Sequence, residues 1–294
     1  MKELFQELNF RPNTLERIET ANDIIEEYQA DGLRLSLRQL YYQFVARGLL
    51  ENTKKNYSAL GDTISKGRVS GLIDWDAIED HERYLRGRSN WASPDQMLRY
   101  QMRQYSIDMW RNQEVRLEVW IEKNALIGVI GGTCRANDVD YFACRGYASQ
   151  SELYKAGKRI KRRYEEDDQH TVVIHLGDHD PSGLDMTRDN LEKLWMFSES
   201  DPEVRRIALN MEQVEQYSPP PNVAKETDSR YGAYVDEYGE MCWELDALEP
   251  RVMTKLIQDT IDEYKDPDIW QESEDELQDD KSLLNEALNH MNSI

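Results

Sequence analysis

The chain has 294 residues, 39% of them hydrophobic and 32% charged, with a formal net charge of −21. That length accommodates two domains with cores of their own, and no apolar run approaches the ~18 residues that span a bilayer, so a soluble chain with no membrane role is expected. The opening stretch lacks the apolar core of a secretion signal, and Cys134, Cys144 and Cys242 have neither disulfide-framework nor CxxC zinc spacing, which points to a reducing, cytoplasmic setting.

The first elements read as helices. Asn13-Thr14 are placed to cap an amphipathic run through Tyr28, and Asp31-Gly32 stops it. Ser36 is placed to cap a second helix, Leu37 to Gly48, with Leu40, Tyr41, Phe44 and Val45 along one stripe. A third helix fits Lys55 to Arg68, and Leu72-Ile73 before Asp74-Trp75 reads as a short strand or wing. Three short helices and a wing over residues 1–88 describe a winged-helix DNA-binding domain, a pattern that small helical bundles of other function share.

Residues 89–113 read as a connector ending in the helix-like QMLRYQMRQYSIDMW. A second domain then spans 114–265, with strands in VRLEVWIEK, VDYFACRG and TVVIHLGDHD alternating with helices from Ala125 to Asn137 and through SQSELYKAGKRIKRRYEE. That alternation predicts βαβ units and a parallel sheet, so the fold class is mixed α/β. A long helix is expected from Pro250 to Tyr264, and the acidic tail, 266–294, reads as a solvated helix or partly disordered arm.

The net charge speaks against a nucleic-acid partner, since DNA binding draws affinity from Lys and Arg contacts. Its distribution softens that objection. Residues 1–110 hold 15 Lys and Arg against 17 Asp and Glu, whereas 111–294 hold 21 against 40. Arg83, Arg86 and Arg88 in the first half, and Lys158, Arg159 and Arg162 in the basic helix of the second, are candidate phosphate contacts; a mixed solvated surface explains them equally well.

The chemistry concentrates at strand ends. Asp178 and Asp180 follow the apolar strand TVVIHLG, and residues two apart on an extended strand point the same way. Two ionised carboxylates about 4 Å apart repel by roughly 4 kcal/mol at an effective dielectric near 20, so the pair calls for a cation. The C-terminal ends of parallel strands face the crevice where α/β proteins bind ligands. Glu122 closes another such strand, in VWIEKNA, as a third metal ligand or a general acid/base. The plainer alternatives are that the two Asp residues form a turn and cap the helix after Pro181, and that Glu122 answers a helix dipole. Mg²⁺ keeps several waters and takes one or two carboxylates, so three acids leave positions for phosphate oxygens.

Strand-end Glu122, the Gly146-Tyr147 turn and Asp178-x-Asp180-x-x-Gly183 together resemble the Toprim domain, in particular that of the topoisomerase VI A subunit and the related meiotic double-strand-break transesterase. Ala148-Ser149 stands where that family's turn has Pro-Asp. Ser36-Leu37-Arg38-Gln39-Leu40-Tyr41-Tyr42 is similar to the family's [ST]-x-R-x-x-[FY]-Y signature, and the stretch from Glu244 through Asp246 to Leu248 to its late E-x-x-A-L segment, though a solvated turn fits the latter equally. The resemblance covers roughly residues 34 to 190. It implies Mg²⁺ on Glu122, Asp178 and Asp180, Tyr42 as nucleophile with Tyr41 as second choice, and Arg38 assisting. It also implies a homodimer cutting double-stranded DNA with covalent 5′ ends. The chain contains no Gly-rich ATP-binding segment, so strand passage would need a separate ATPase subunit. The alternatives are a Toprim nuclease that activates water, with Tyr41-Tyr42 as core, and a non-catalytic DNA-binding module.

Overall fold

The computed structural model describes residues 2–78 and 90–291; Arg83, Arg86 and Arg88 lie outside the described residues. Helix α1 (Pro12–Ala30) begins on Pro12, whose fixed φ suits a first turn, and not on an Asn13-Thr14 cap. It ends at Asp31 as the sequence predicts. Helix α2 (Leu37–Ala46) carries the expected Ser36 cap in reciprocal form: Ser36 Oγ accepts from Gln39 N, and Gln39 Oε1 accepts from Ser36 N. Helix α3 (Lys54–Val69) is capped by Thr53. The three bury Ile18, Ile24, Tyr28, Leu40, Phe44 and Leu60 in a common core.

No strand forms at Leu72-Ile73. Ile73 is fully buried against α3, where a Cβ on Gly67 would lie 2.7 Å from its side chain, and the backbone continues into a 3₁₀ turn at Trp75–Ala77. Core packing thus takes up the apolar pair that a wing would have used. Among the described residues of this region only single bridges occur, Leu4 with Ser70 and Leu35 with Ile78.

Beyond helix α4 (Pro94–Gln104) the chain enters a four-stranded sheet made of β1 (Val115–Ile121), β2 (Asp140–Ala143), β3 (His170–Leu176) and β4 (Glu203–Ala208). All neighbours are parallel, in the order β2-β1-β3-β4. The fold is therefore mixed α/β with a parallel sheet. The two-residue period of β1 sends Leu117, Val119 and Ile121 into one core and Trp120 into another. Helix α5 (Ile127–Ala136) packs on the first side. Helices α6 (Gln150–Glu166) and α7 (Pro181–Ser198) pack on the second, so tightly that a Cβ on Gly157 would meet Phe197 Cβ at 2.4 Å.

Glu118, on the α6 side of β1, is 2% exposed and receives hydrogen bonds from Arg159 Nε (2.8 Å), Arg163 Nη1 (2.5 Å) and Trp120 Nε1 (3.0 Å). Two cations of the basic helix are thus committed inward, while Lys158 and Arg162 stay exposed.

The chain continues through α8 (Met211–Tyr217) and a short antiparallel ribbon, β5 (Asn222–Val223) with β6 (Met241–Cys242), which encloses α9 (Tyr231–Tyr238). Helix α10 (Pro250–Tyr264) has the predicted limits and adds Met253, Ile257 and Ile261 to the α5-side core. The acidic tail is a docked helix, α11 (Pro267–Met291): Trp270 packs on Trp110, Tyr105 donates to Asp280 at 2.5 Å, and Arg111 pairs with Glu276. A Trp and a Leu at positions 270 and 277 supply the apolar contact that its charge obscured. None of the described helices is long and apolar enough to cross a membrane.

Candidate functional site

The site lies where β1 and β3 end side by side, Ile121 opposite Leu176. Glu122 is the first residue past β1, and its Oε2 accepts the backbone N–H of Asp178 at 2.8 Å. Asp178 is 7% exposed; its Oδ1 accepts from Leu245 N at 2.8 Å, and its Oδ2 lies 2.9 Å from Lys123 Nζ. Asp180 is the N-cap of α7, accepting from Gly183 N (2.6 Å) and Ser182 Oγ (3.0 Å). The capping role weighed from sequence is therefore real for Asp180, and one oxygen suffices for it. Gly183 is required here: a Cβ would fall 2.2 Å from Asp178 O.

His179, between the two acids, pairs its backbone with Trp243 (N–H to O 2.8 Å and 2.9 Å in return) and turns its ring into a nest of Tyr234, Tyr238 and Trp243. That pairing delivers Glu244 and Asp246 to the site. Lys123 Nζ lies 3.0 Å from Glu244 Oε2 and 2.8 Å from Asp246 Oδ2, in addition to Asp178. Arg38, reaching across from α2, pairs with Glu244 and stands 3.5 Å from Asp246 Oδ2. Arg206 of β4 braces the loop from beneath, donating to the carbonyls of Gly177 (2.9 Å), Asp178 (2.6 Å) and Gly183 (3.0 Å).

Burial and neighbouring charges shift the proton affinities of the cluster in opposite directions, and Lys123 and Arg38 hold Glu244 below the usual carboxylate range against the effect of burial. Burial raises Glu122 above the usual carboxylate range, with the Asp180 charge acting in the same direction. Burial likewise pushes Asp178 up to about 7, against the pull of Lys123. Burial alone would lower Lys123 and Arg38, but their carboxylate neighbours outweigh it and raise both. Arg206, deeply buried, falls to about 10. Among the described residues, five carboxylates (Glu122, Asp178, Asp180, Glu244, Asp246) face three cations (Lys123, Arg38, Arg206).

The two tyrosines differ in what they touch. Tyr41 Oη accepts from Thr53 N at 2.7 Å and lies within 3.2 Å of the carbonyls of Glu51 and Thr53, so it ties α2 to the loop before α3. Tyr42 faces a cavity of about 240 Å³ lined also by Arg38, Lys54, Asn222 and Glu244, with the Arg38 guanidinium 5.9 Å from its ring centre. It is 4% exposed, and burial together with the Glu244 charge pushes its phenol up to about 12. Tyr147, of the Gly146-Tyr147 turn, donates to Asp185 at 2.5 Å beneath Arg230.

Among the described residues, no group of three or more His, Cys, Asp or Glu side chains is arranged so as to hold a metal ion. Mg²⁺ does not need one: it takes one or two carboxylates and keeps its waters. Glu122 and Asp180 are partly buried rather than sealed in the core, and five carboxylates against three cations suit a divalent cation, so the residues present fit such an ion. Lys123 and Arg206 were not singled out from sequence; the signal for Lys123 was its place beside a strand-end Glu, whereas the Arg205-Arg206 pair inside β4 gave none. Comparison of the chain with protein-family models and with curated proteins finds no match.

Proposed function

We propose that the chain is a Mg²⁺-dependent DNA-cleaving protein of the kind its motifs resemble, in which Tyr42 on the N-terminal helical region works with a Toprim-type carboxylate site. The observation that carries this reading is one continuous ion-pair network. It runs from Arg38, one helical turn before Tyr42, through Glu244 and Asp246 to Lys123 and Asp178. Two motifs separated by more than a hundred residues, each read on its own, meet in one charged cluster.

In the proposed reaction Tyr42 Oη attacks a DNA phosphorus, the bond from phosphorus to the 3′ oxygen breaks, and a 5′-phosphotyrosine forms. The phenol loses a proton and the leaving 3′ oxygen gains one. Burial opposes loss of the phenolic proton, so the Arg38 charge beside the ring serves to stabilise the phenolate. Glu122, with its raised proton affinity, is assigned the general acid/base role. Mg²⁺, when bound by Glu122 with Asp178 or Asp180, supplies a Lewis acid toward the phosphate. A homodimer, double-stranded DNA as substrate, a separate ATPase subunit for strand passage and a cytoplasmic setting belong to the same proposal.

The burial of Tyr42 favours a second reading, a Toprim nuclease in which water is the nucleophile and the tyrosine pair is core. Incubation with supercoiled plasmid and Mg²⁺, quenched in detergent, separates the two. Covalent protein on the broken ends, absent in Tyr42→Phe and Asp180→Ala, supports transesterification. Breaks with free ends that survive Tyr42→Phe but not Asp180→Ala replace it with hydrolysis.

A further inference from the structure

Resting on the carboxylate site proposed above, we infer that Lys123 Nζ is a built-in second cation of that site, held by Asp178, Glu244 and Asp246, and that a single divalent ion is left to Glu122 and Asp180. The reasoning starts from which carboxylate oxygens are spent. Both oxygens of Asp178 are already engaged, Oδ1 by Leu245 N–H and Oδ2 by the Lys123 ammonium at 2.9 Å, and the residue is buried. Glu122 and Asp180 each use one oxygen on the backbone, at Asp178 N and at Gly183 N. Among the described residues neither Glu122 Oε1 nor Asp180 Oδ2 receives a hydrogen bond, and both residues are partly buried rather than sealed in the core.

The ammonium is correspondingly surrounded. Nζ lies 2.8 to 3.0 Å from three carboxylate oxygens and donates to one of them, Glu244 Oε2. Asp246 is 2% exposed and neither of its oxygens has a hydrogen-bond partner, so its charge is met by the ion pairs with Lys123 and Arg38. Phosphoryl-transfer sites with two metals place two cations about 3.5–4 Å apart on either side of the reacting phosphate. Here consecutive residues, Glu122 and Lys123, divide that duty: one faces the exchangeable ion and the other is itself the fixed charge. The fixed charge lies on the tyrosine side, since Glu244 is shared by Lys123 and Arg38.

The test is metal stoichiometry, read without activity: Mn²⁺ titrated into the full chain, followed by calorimetry and by the electron paramagnetic resonance of free Mn²⁺. Wild type takes up one equivalent. Glu122→Gln and Asp180→Asn preserve the hydrogen bond and the cap but weaken binding by about tenfold or more, whereas Asp178→Asn stays within about threefold, because only a direct ligand contributes its full charge. Lys123→Met, which leaves three carboxylates facing one another, takes up a second equivalent. Should Asp178→Asn fail to fold, the charge-balanced double variant Lys123→Met with Asp178→Asn replaces it and is expected to keep the first equivalent. Binding lost in Asp178→Asn or in that double variant, two equivalents in wild type, or no second equivalent in Lys123→Met would each overturn the inference while leaving a metal-dependent site standing. Wild type that binds no Mn²⁺ would overturn the metal-dependent reading and this inference together.

Discussion

Replacing Arg38 by Gln is the sharpest perturbation of the network that joins the two halves of the chain. Arg38 stands 3.5 Å from Asp246 Oδ2 and also pairs with Glu244, while its own side chain is 39% exposed. A unit charge pair at that distance is worth about 5 kcal/mol at an effective dielectric near 20. Solvent on the arginine side screens much of it, leaving about 1–2 kcal/mol of folding stability at stake. For a chain of this size that lowers the melting temperature by roughly 2–3 °C. If Arg38 also steadies the Tyr42 phenolate, plasmid cleavage falls further than stability accounts for, by about 100-fold, as when a fixed donor to a developing charge is removed. Arg38→Lys keeps the charge but not the planar fork and is expected to fall between the two. The assays are scanning calorimetry and detergent-trapped cleavage measured well below the melting temperature. Wild-type cleavage in Arg38→Gln, at either melting temperature, would refute the link between this residue and the chemistry.

Three further outcomes follow from the geometry. Gly183→Ala should cost about 2–3 kcal/mol or more in urea denaturation, because the new Cβ falls 2.2 Å from a backbone oxygen that cannot yield without moving Asp178; unchanged stability would mean the loop is slack. Glu118→Ala leaves the 5% exposed Arg163 with only the exposed Asp140, 3.6 Å away, and should cost about 3–5 kcal/mol, whereas Glu118→Leu with Arg163→Met recovers most of it; equal losses in both variants would contradict that account. His175 is fully buried and held down to about 3, chiefly by burial. The folded state therefore refuses a proton that the unfolded chain accepts below its ordinary value of 6.5, so stability is lost as pH falls: about 2 kcal/mol between pH 6.5 and 5. His175→Gln should flatten that limb of a urea-midpoint curve, and an unchanged limb would assign it to other groups.

Much of the α/β half is legible because its strands are mostly buried and rich in β-branched and apolar residues between helix-period stretches: Val115–Ile121 and His170–Leu176 emerge nearly residue for residue. β4 was not legible, because Arg205 and Arg206 interrupt EVRRIA where a run was expected. Each is explained by a distant partner, Glu263 for Arg205 and the Gly177–Gly183 loop for Arg206, and no local pattern announces a partner. Glu122 stood out because a carboxylate after Val119, Trp120 and Ile121 needs a reason. Lys123 did not, since a lysine beside a glutamate is ordinary until Glu244 and Asp246 arrive from elsewhere in the chain. Their arrival depends on the pairing of His179 with Trp243, a single bridge that periodicity cannot reveal.

On the proposed function the acidity of the chain acquires a definite consequence. A DNA phosphate entering the cluster meets five carboxylates and three cations, and with every carboxylate ionised, above the raised Asp178, a residual charge near −2 about 5 Å away opposes it by roughly 3 kcal/mol at a dielectric between those of protein surface and water. One divalent ion cancels that residue, so metal should govern DNA affinity as well as cleavage. The magnitude corresponds to about 100-fold in Kd. Fluorescence anisotropy of a labelled duplex with Tyr42→Phe, in Mg²⁺ and in chelator at matched ionic strength, isolates the effect from cleavage. In Asp180→Asn, which keeps the α7 cap while losing one negative charge, the difference between the two conditions should shrink. Equal affinity in both conditions for the Tyr42→Phe protein would place the DNA away from the carboxylates, on surfaces such as the exposed Lys158 and Arg162, and would separate binding from the site altogether.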